Sequence, residues 1–172
     1  MNDVALALHA GLTSSGVQHC VYLPDSVMNP LTARLEADPA IATYVCARED
    51  EGVAMSAGLF LAGQRSVAIM ECSGIGYCGL ILARCQLQRT PVFIMASHGG
   101  LLGEIFDYHA APAAAGRGVV AGLGLAQLVL RSDDDPAEIV RLALQTVHAQ
   151  RQSFVLFVPP HVMKPARPRR EA

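Results

Sequence analysis

The chain has 172 residues, 52% of them hydrophobic, which is enough apolar material for the core of one compact domain. A formal net charge of -2 and a sequence pI of about 6.3 exclude a broad basic face for nucleic acid. Five cysteines in no metal-ligand spacing argue against a structural metal or a disulfide framework, and they favour a reducing, cytoplasmic setting.

The ends of the chain and its most apolar segment argue against export and membrane insertion. Asp3 stands where a secretory signal would have Lys or Arg. The segment from Gly118 to Leu130 is too short to cross a bilayer, so we interpret it as core or subunit interface. We expect one domain over residues 1–160 and a basic, Pro-containing tail over residues 161–172.

Helix-like and strand-like patterns alternate along the chain, which predicts an α/β domain. We expect it to be doubly wound, with a mainly parallel sheet of about six strands and helices on both faces. A long polar loop is expected between Ser97 and His109. The predicted elements, in chain order, are helix Val4–Ser15, strand His19–Leu23, helix Val27–Ala37, strand Ile41–Val45, helix Asp50–Ala62, strand Ser66–Glu71, helix Ile75–Leu87, strand Pro91–Ala96, strand Ala126–Leu130, helix Pro136–Gln150 and strand Phe154–Val158.

The loops that follow the strands carry the candidate functional residues, because ligands of open parallel sheets bind at the carboxyl ends of the strands. Three carboxylates follow the second strand. Asp50 and Glu51 suit the positive end of a helix, whereas Glu49 should point along the ligand crevice. In the first loop, Asp25 is either a helix cap or a functional acid.

Two further loops leave alternatives open. The SGIG sequence after the third strand is either a phosphate-binding loop or a tight strand-to-helix turn. His98 and His109 bracket a segment with Glu104 and Asp107, which is either an acid/base cluster, a metal site or a solvated loop. The spacing matches no metal signature, so we assign no metal ligand to this chain.

Four segments, in this order, resemble a known family: LPDSVMNPL, REDEGVAMSAGLFLAG, IMECSGIG and PVFIMASHGG. They are similar to the alpha subunit of sulfopyruvate decarboxylase and to the N-terminal domain of phosphonopyruvate decarboxylase, both thiamine-diphosphate enzymes. The resemblance is strong over residues 16–118. It implies a pyrimidine-binding domain in which Glu49, followed nine residues later by Gly58, contacts N1′ of the aminopyrimidine and activates the cofactor.

The resemblance also implies roles for other residues. Asp25 and His109 match proton-relay positions, so the candidate catalytic residues are Glu49, Asp25 and His109. The candidate cofactor-binding residues are Glu49, Glu71, Ser73, Gly74, Ile75 and Gly76, and the candidate substrate-binding residues are Pro24, Ser26 and His98.

Three positions depart from the family pattern, which has Gln at Glu71, Asn at Tyr77 and Arg at Gly99. Without an arginine at Gly99, a sulfonate or phosphonate loses a bidentate partner, so we expect another small 2-oxoacid as substrate.

The chain contains no Gly-Asp-Gly, the start of the motif that binds Mg2+ and the diphosphate in these enzymes. The resemblance therefore implies a separate beta subunit that ligates Mg2+, and a hetero-oligomer of at least two plus two chains. No nucleic acid and no membrane are expected as partners. Two alternatives remain: a non-catalytic flavodoxin-like subunit, and a carboligating enzyme that uses the same cofactor.

Overall fold

The computed structural model describes residues 3–102, 104 and 106–163. Its helices and strands alternate as the sequence pattern predicts. In chain order they are α1 (Val4–Ser14), β1 (His19–Tyr22), α2 (Asn29–Ala37), β2 (Ala42–Val45), α3 (Glu49–Leu61), β3 (Ser66–Glu71), a 3₁₀-helix (Cys72–Cys78), α4 (Gly79–Gln88), β4 (Phe93–Ser97), α5 (Asp107–Gly122), β5 (Ala126–Val129), α6 (Pro136–Gln150), β6 (Phe154–Val158) and α7 (Pro160–Met163).

The six strands form one sheet in the order β2-β1-β3-β4-β6-β5, and every pair of neighbours is parallel. Glu71 at the end of β3 lies opposite Ser97 at the end of β4, which in turn lies opposite Val158 of β6. The carboxyl ends of the central strands therefore meet at one edge. The predicted α/β class and parallel sheet are confirmed.

Two apolar cores, one on each face, explain why the strand sequences are apolar at successive positions. Val67 and Ile69 face a core built with α1, α2 and α6, whereas Ala68 and Met70 face a core built with α3, α4 and α5. The five cysteines are all buried and free. Burial raises the pKa of the Cys20 thiol to about 12, so it acts as a small core side chain.

Helix α5 was not predicted from the sequence, which pointed to a loop ending at His109. Asp107 and His109 instead lie in the first turn of this helix. Its Pro112 and its three glycines have low helix propensity, but packing overrides that preference. A Cβ atom on Gly116 would overlap the carbonyl oxygen of Cys72, so only glycine allows α5 to lie this close to the 3₁₀-helix.

Two helix starts differ from the prediction for identifiable reasons, and several other boundaries shift by one or two residues. The helix expected from Val27 begins at Asn29, because Val27 and Met28 form a turn closed by the Asp25 side chain. The helix expected from Ile75 is preceded by the 3₁₀-helix and becomes α-helical at Gly79.

The chain end beyond β6 begins with the short helix α7, whose Val162 and Met163 are buried in the first core. The remainder of the predicted tail, residues 164–172, lies outside the described residues. Among the helices described, none combines the length and apolar composition needed to span a bilayer.

Candidate functional site

A cleft of about 340 Å³ opens at the carboxyl edge of the sheet. After β1 the chain moves outward to β2, and β3 then lies on the other side of β1, which creates a topological switch point. The cleft lies at this point, as the position of the candidate loops predicted. Its lining includes Pro24, Asp25, Ser26, Glu71, Ser97, Gly99, Glu104, Phe106 and His109.

Glu49 is the first residue of α3 and is half-buried beside the 3₁₀-helix that follows β3. Its carboxyl group lies so close to Gly74 that any Cβ atom on Gly74 would overlap it. The negative charge of Glu49 also adds to burial in raising the pKa of the nearby Cys78 thiol to about 12. Glu49 and the glycine turn therefore form one local site.

The other two carboxylates of this turn serve the helix terminus, as predicted. Glu51 accepts a hydrogen bond from the backbone N–H of Ala47 at 2.9 Å. Asp50 accepts from Nε of Arg48 at 3.0 Å, and this bond lowers the pKa of Asp50. Of the three carboxylates, Glu49 is the one that faces the neighbouring turn.

The four residues predicted around the pyrimidine differ in exposure. Gly74 is buried under Glu49, Gly76 is exposed and Ser73 is half-buried. The Ile75 side chain is fully buried in the second core, so only its backbone could meet a ligand. Cys78 donates from Sγ to the Gly74 carbonyl at 3.5 Å, which ties the turn together.

Asp25 anchors the first loop. One carboxylate oxygen accepts the backbone N–H groups of Val27 and Met28 at 2.7 and 2.8 Å, and the other accepts the hydroxyl of Ser97 at 2.7 Å. Asp25 thus closes the turn ahead of α2, whose N-cap is Met28, and the same side chain links the β1 and β4 ends of the cleft. Ser26 and Pro24, beside it, are exposed at the rim.

His109 faces the cleft from the first turn of α5 and pairs with Glu104, with 3.1 Å between Nδ1 and Oε2. Glu104 also accepts backbone N–H groups from Phe106 and Gly100. These backbone bonds, with His109 in addition, lower the pKa of Glu104. Glu104 and His109 are therefore paired at the cleft, and an acid/base role for the pair stays a prediction.

His98 does not line the cleft. Its ring is buried and stacks on Phe157, with 4.9 Å between ring centroids. Burial and the charge of Arg117 lower the pKa of His98, so the ring is neutral at pH 7. The predicted contact of His98 with substrate therefore has no counterpart among the cleft-lining groups.

Gly99 lies beside the acid/base pair. A Cβ atom built on it would be 3.8 Å from Cβ of His109 and 3.9 Å from Oε2 of Glu104. A side chain at position 99 would consequently enter the cleft. Behind the cleft wall, Arg117 donates from Nη1 to the Gly99 carbonyl at 3.1 Å, so its cation supports the wall.

Sequence reasoning assigned no individual role to several residues of the site, among them Ser97 and Arg117. Ser97 lay in a segment expected to carry the function, because it ends a strongly apolar strand at the carboxyl edge. Arg117 had no usable signal, since it lies in the helix that the sequence pattern did not reveal.

Comparison with known sequences gives consistent matches. A family model described as thiamine pyrophosphate enzyme, N-terminal TPP binding domain, matches residues 2–101. The chain is 30% identical over 137 residues to sulfopyruvate decarboxylase subunit alpha of Methanothermobacter thermautotrophicus, covering 79% of this chain and 81% of that protein. It is 33% identical over 101 residues to phosphonopyruvate decarboxylase of Streptomyces viridochromogenes, covering 58% of this chain and 25% of that protein.

Comparison with solved structures supports the fold. A 2-oxoglutarate:ferredoxin oxidoreductase from Magnetococcus marinus is similar with a TM-score of 0.71 and 11% sequence identity, covering 94% of this chain and 29% of that chain. The sequence matches confirm the resemblance predicted from the four motif segments, and the structural match confirms the fold class.

Proposed function

Because the chain belongs to the thiamine pyrophosphate enzymes through their N-terminal TPP binding domain, we propose that it binds the cofactor's pyrimidine ring in a 2-oxoacid decarboxylase. Glu49 is proposed as the activating carboxylate. Sulfopyruvate and phosphonopyruvate decarboxylase are the names of its relatives. For this chain the substrate class is a small 2-oxoacid.

The observation that carries the proposal is the contact between Glu49 and Gly74. A glutamate at the start of α3, held against a glycine whose added Cβ would overlap its carboxyl group, offers a carboxyl edge and open backbone to a flat ring. Asp50 and Glu51 have other partners, so they do not compete for the role. A non-catalytic subunit would have no use for this arrangement.

The residues present fit the pyrimidine end of thiamine diphosphate. Glu49 would hold N1′, the backbone of Gly74 to Gly76 would lie against the ring, and Ser73 and Glu71 would border it. When bound, the cofactor supplies a thiazolium carbon that adds to the 2-oxo carbon and accepts the electron pair released with carbon dioxide. Glu49 would share a proton with N1′, which is the part of the chemistry that this chain would perform on the ring.

The cleft provides the place for the 2-oxoacid. Asp25 and Ser97 hold its two sides together, and His109 presents an imidazole from α5 for proton transfer. Gly99 has no side chain to enter the cleft, so position 99 places no cation there. The substrate tail therefore need not be anionic. The fate of the reaction, an aldehyde or a carboligation product, depends on whether a proton or a second carbonyl compound enters this space.

The proposal includes a separate beta subunit that holds Mg2+ and the diphosphate. It is supported by the Methanothermobacter relative, which is named a subunit alpha and of which the chain covers 81%. A two-plus-two assembly would also cover apolar side chains that the described fold leaves exposed, among them Leu61, Leu80 and Leu87.

The test uses the chain purified in complex with its diphosphate-binding partner. Glu49→Gln should slow exchange of the cofactor's C2 proton, followed by NMR, by about a hundredfold to ten-thousandfold, because the amide cannot share the proton. Gly74→Ala should have a similar effect, since the added methyl displaces the carboxyl group.

Two controls separate this role from general damage. Glu51→Gln removes a carboxylate from the same turn as Glu49. Gly79→Ala adds a methyl group that would make only ordinary van der Waals contacts with Val119. Both should exchange the C2 proton at nearly the wild-type rate. Wild-type exchange in Glu49→Gln would refute the role proposed for Glu49.

A further inference from the structure

The Glu104–His109 pair has a defined geometry within the cleft. Nδ1 of His109 lies 3.1 Å from Oε2 of Glu104, and the two side chains are 31% and 18% exposed. Both line the cleft. Since Nδ1 faces the carboxylate, Nε2 is the ring nitrogen left to meet a substrate.

Two backbone N–H groups hold the Glu104 carboxylate, one at each oxygen. The backbone N–H of Phe106 donates to Oε1 at 3.1 Å, and that of Gly100 donates to Oε2 at 3.2 Å. These bonds and His109 lower the pKa of Glu104, so the group is ionised near neutral pH. An ionised carboxylate can only accept hydrogen bonds, and Nδ1 of His109 must therefore carry the proton.

The surroundings fix both partners. The His109 ring packs edge-on against Tyr108 and Phe106, with 4.5 and 5.4 Å between centroids. Gly100 has a φ of +67°, and a Cβ atom there would lie 3.1 Å from the His109 carbonyl oxygen. Because glycine adopts this left-handed backbone conformation without strain, the segment that carries Glu104 can pack closely against the first turn of α5.

The other carboxylates that line the cleft are not paired with the His109 imidazole in the part of the chain described. Asp25 is engaged by Val27, Met28 and Ser97. Glu71 enters the cleft from the end of β3, and within the described residues it forms no ion pair with a histidine. The carboxylate that orients the imidazole is thus Glu104, from the segment just before α5.

We propose that Glu104 is a positioning residue that holds His109 in the Nδ1–H tautomer, so that Nε2 faces the substrate as the proton-transferring atom. As a base, Nε2 takes a proton from the reacting substrate group, and as an acid, it returns one and is left neutral. The carboxylate stabilises the intervening imidazolium and does not itself take the proton. The identity of the substrate rests on the proposed function, whereas the pairing does not.

The first experiment reads the tautomer directly on the chain without cofactor, by 15N chemical shifts of the neutral imidazole. Wild type should show His109 as the Nδ1–H form. In Glu104→Gln the Nε2–H form should become substantial, because an amide can also donate to Nδ1. The matched control is Glu51→Gln, another carboxylate that accepts a backbone N–H, and it should leave the His109 signals unchanged.

A wild-type His109 in the Nε2–H form would overturn the proposal, whatever the variants do. The proposal would also fall if Glu104→Gln, shown by circular dichroism to be folded, retained the wild-type tautomer.

The second experiment uses the assembled enzyme. Glu104→Gln should lower turnover at least about tenfold, within the range that general acid–base assistance supplies, while C2-proton exchange stays at the wild-type rate. An equal loss of turnover and of C2-proton exchange would indicate that Glu104 acts on the cofactor, and it would overturn the assignment of Glu104 to His109. If wild type itself shows no C2-proton exchange, the proposed function fails, and the tautomer measurement still decides the pairing.

Discussion

His98 follows the central strand β4 and places an ionisable ring inside the protein. Neither ring nitrogen has a hydrogen-bond partner among the described residues, and the ring stacks on Phe157. Burial, with Arg117 in addition, lowers the pKa of His98. A charged His98 would therefore favour the unfolded chain, where water solvates it.

This environment predicts a pH dependence of stability. The folded-state pKa of His98 lies below the unfolded value of about 6.5, so the unfolded chain binds more protons between these two values. The free energy of unfolding should fall as the pH drops below about 6.5. His98→Phe keeps the ring stacking but cannot be protonated, so it should lose less stability than wild type between pH 7.5 and 5.5.

Thermal unfolding at the two pH values measures the difference. His161→Asn, which removes an exposed histidine, controls for the loss of an imidazole as such. Equal changes in melting temperature for wild type and His98→Phe would contradict the assignment.

At this scale, the sequence distinguished Glu49 from Asp50 and Glu51 through the family resemblance and not through local physics, since all three lie in the first turn of α3. It could not decide between the alternatives for Asp25, since its partner Ser97 is 72 residues away. It also could not pair Glu104 with His109. That pair depends on the left-handed turn at Gly100 and on the start of α5.

Helix α5 packs on the 3₁₀-helix through small residues, and this contact defines one wall of the site. Gly116 stands against the Cys72 carbonyl, and Sγ of Cys72 donates to the Ala113 carbonyl at 3.4 Å. The Gly and Pro residues of α5 lower its helix propensity, which is why the sequence pattern did not reveal it. The small size of its glycines also allows the α5 backbone to lie close to the 3₁₀-helix. A pattern of isolated glycines four residues or fewer apart inside an Ala-rich run therefore indicates packing as readily as a loop.

Gly116→Ala should destabilise the chain by about 1–3 kcal/mol, because the methyl group meets rigid backbone and α5 must move away. Gly118→Ala is the matched control on the same helix, where no atom lies within 4 Å of the added Cβ. It should stabilise by up to about 1 kcal/mol through helix propensity. Urea unfolding of both variants gives the two values, and equal stability would contradict the described packing of α5.

The whole molecule concentrates negative charge at the carboxyl edge of its sheet. Asp25, Glu49, Glu71 and Glu104 lie there, and the nearby cations are already directed elsewhere. Arg48 pairs with Asp50, and Arg117 donates to the Gly99 carbonyl. Such an edge suits a neutral aminopyrimidine and repels a diphosphate, unless a metal and a partner offset the charge.

At the level of the whole molecule, strand alternation predicted which loops share the carboxyl edge of the sheet. The strand order itself, with β6 inserted between β4 and β5, could not be predicted, since nothing local determines the neighbour of a buried strand.

The charge distribution predicts that, for the chain alone, the diphosphate adds nothing to affinity. Thiamine and thiamine diphosphate should bind weakly and about equally in titration calorimetry, with thiamine diphosphate the weaker ligand at low ionic strength, where repulsion is least screened. Mg2+ should not make thiamine diphosphate a tight ligand of the chain alone, because no cluster of three or more metal-ligating side chains is present in the part of the chain described.

Addition of the proposed diphosphate-binding partner should reverse this order, because that partner would supply the metal site and the positive charge. Thiamine diphosphate with Mg2+ should then bind far more tightly than thiamine. Glu49→Gln should weaken both ligands similarly, since both present the same pyrimidine ring to the chain. Tight, Mg2+-dependent binding of thiamine diphosphate by the chain alone would contradict the divided site. It would require cationic or metal-binding groups that the described carboxyl edge does not offer.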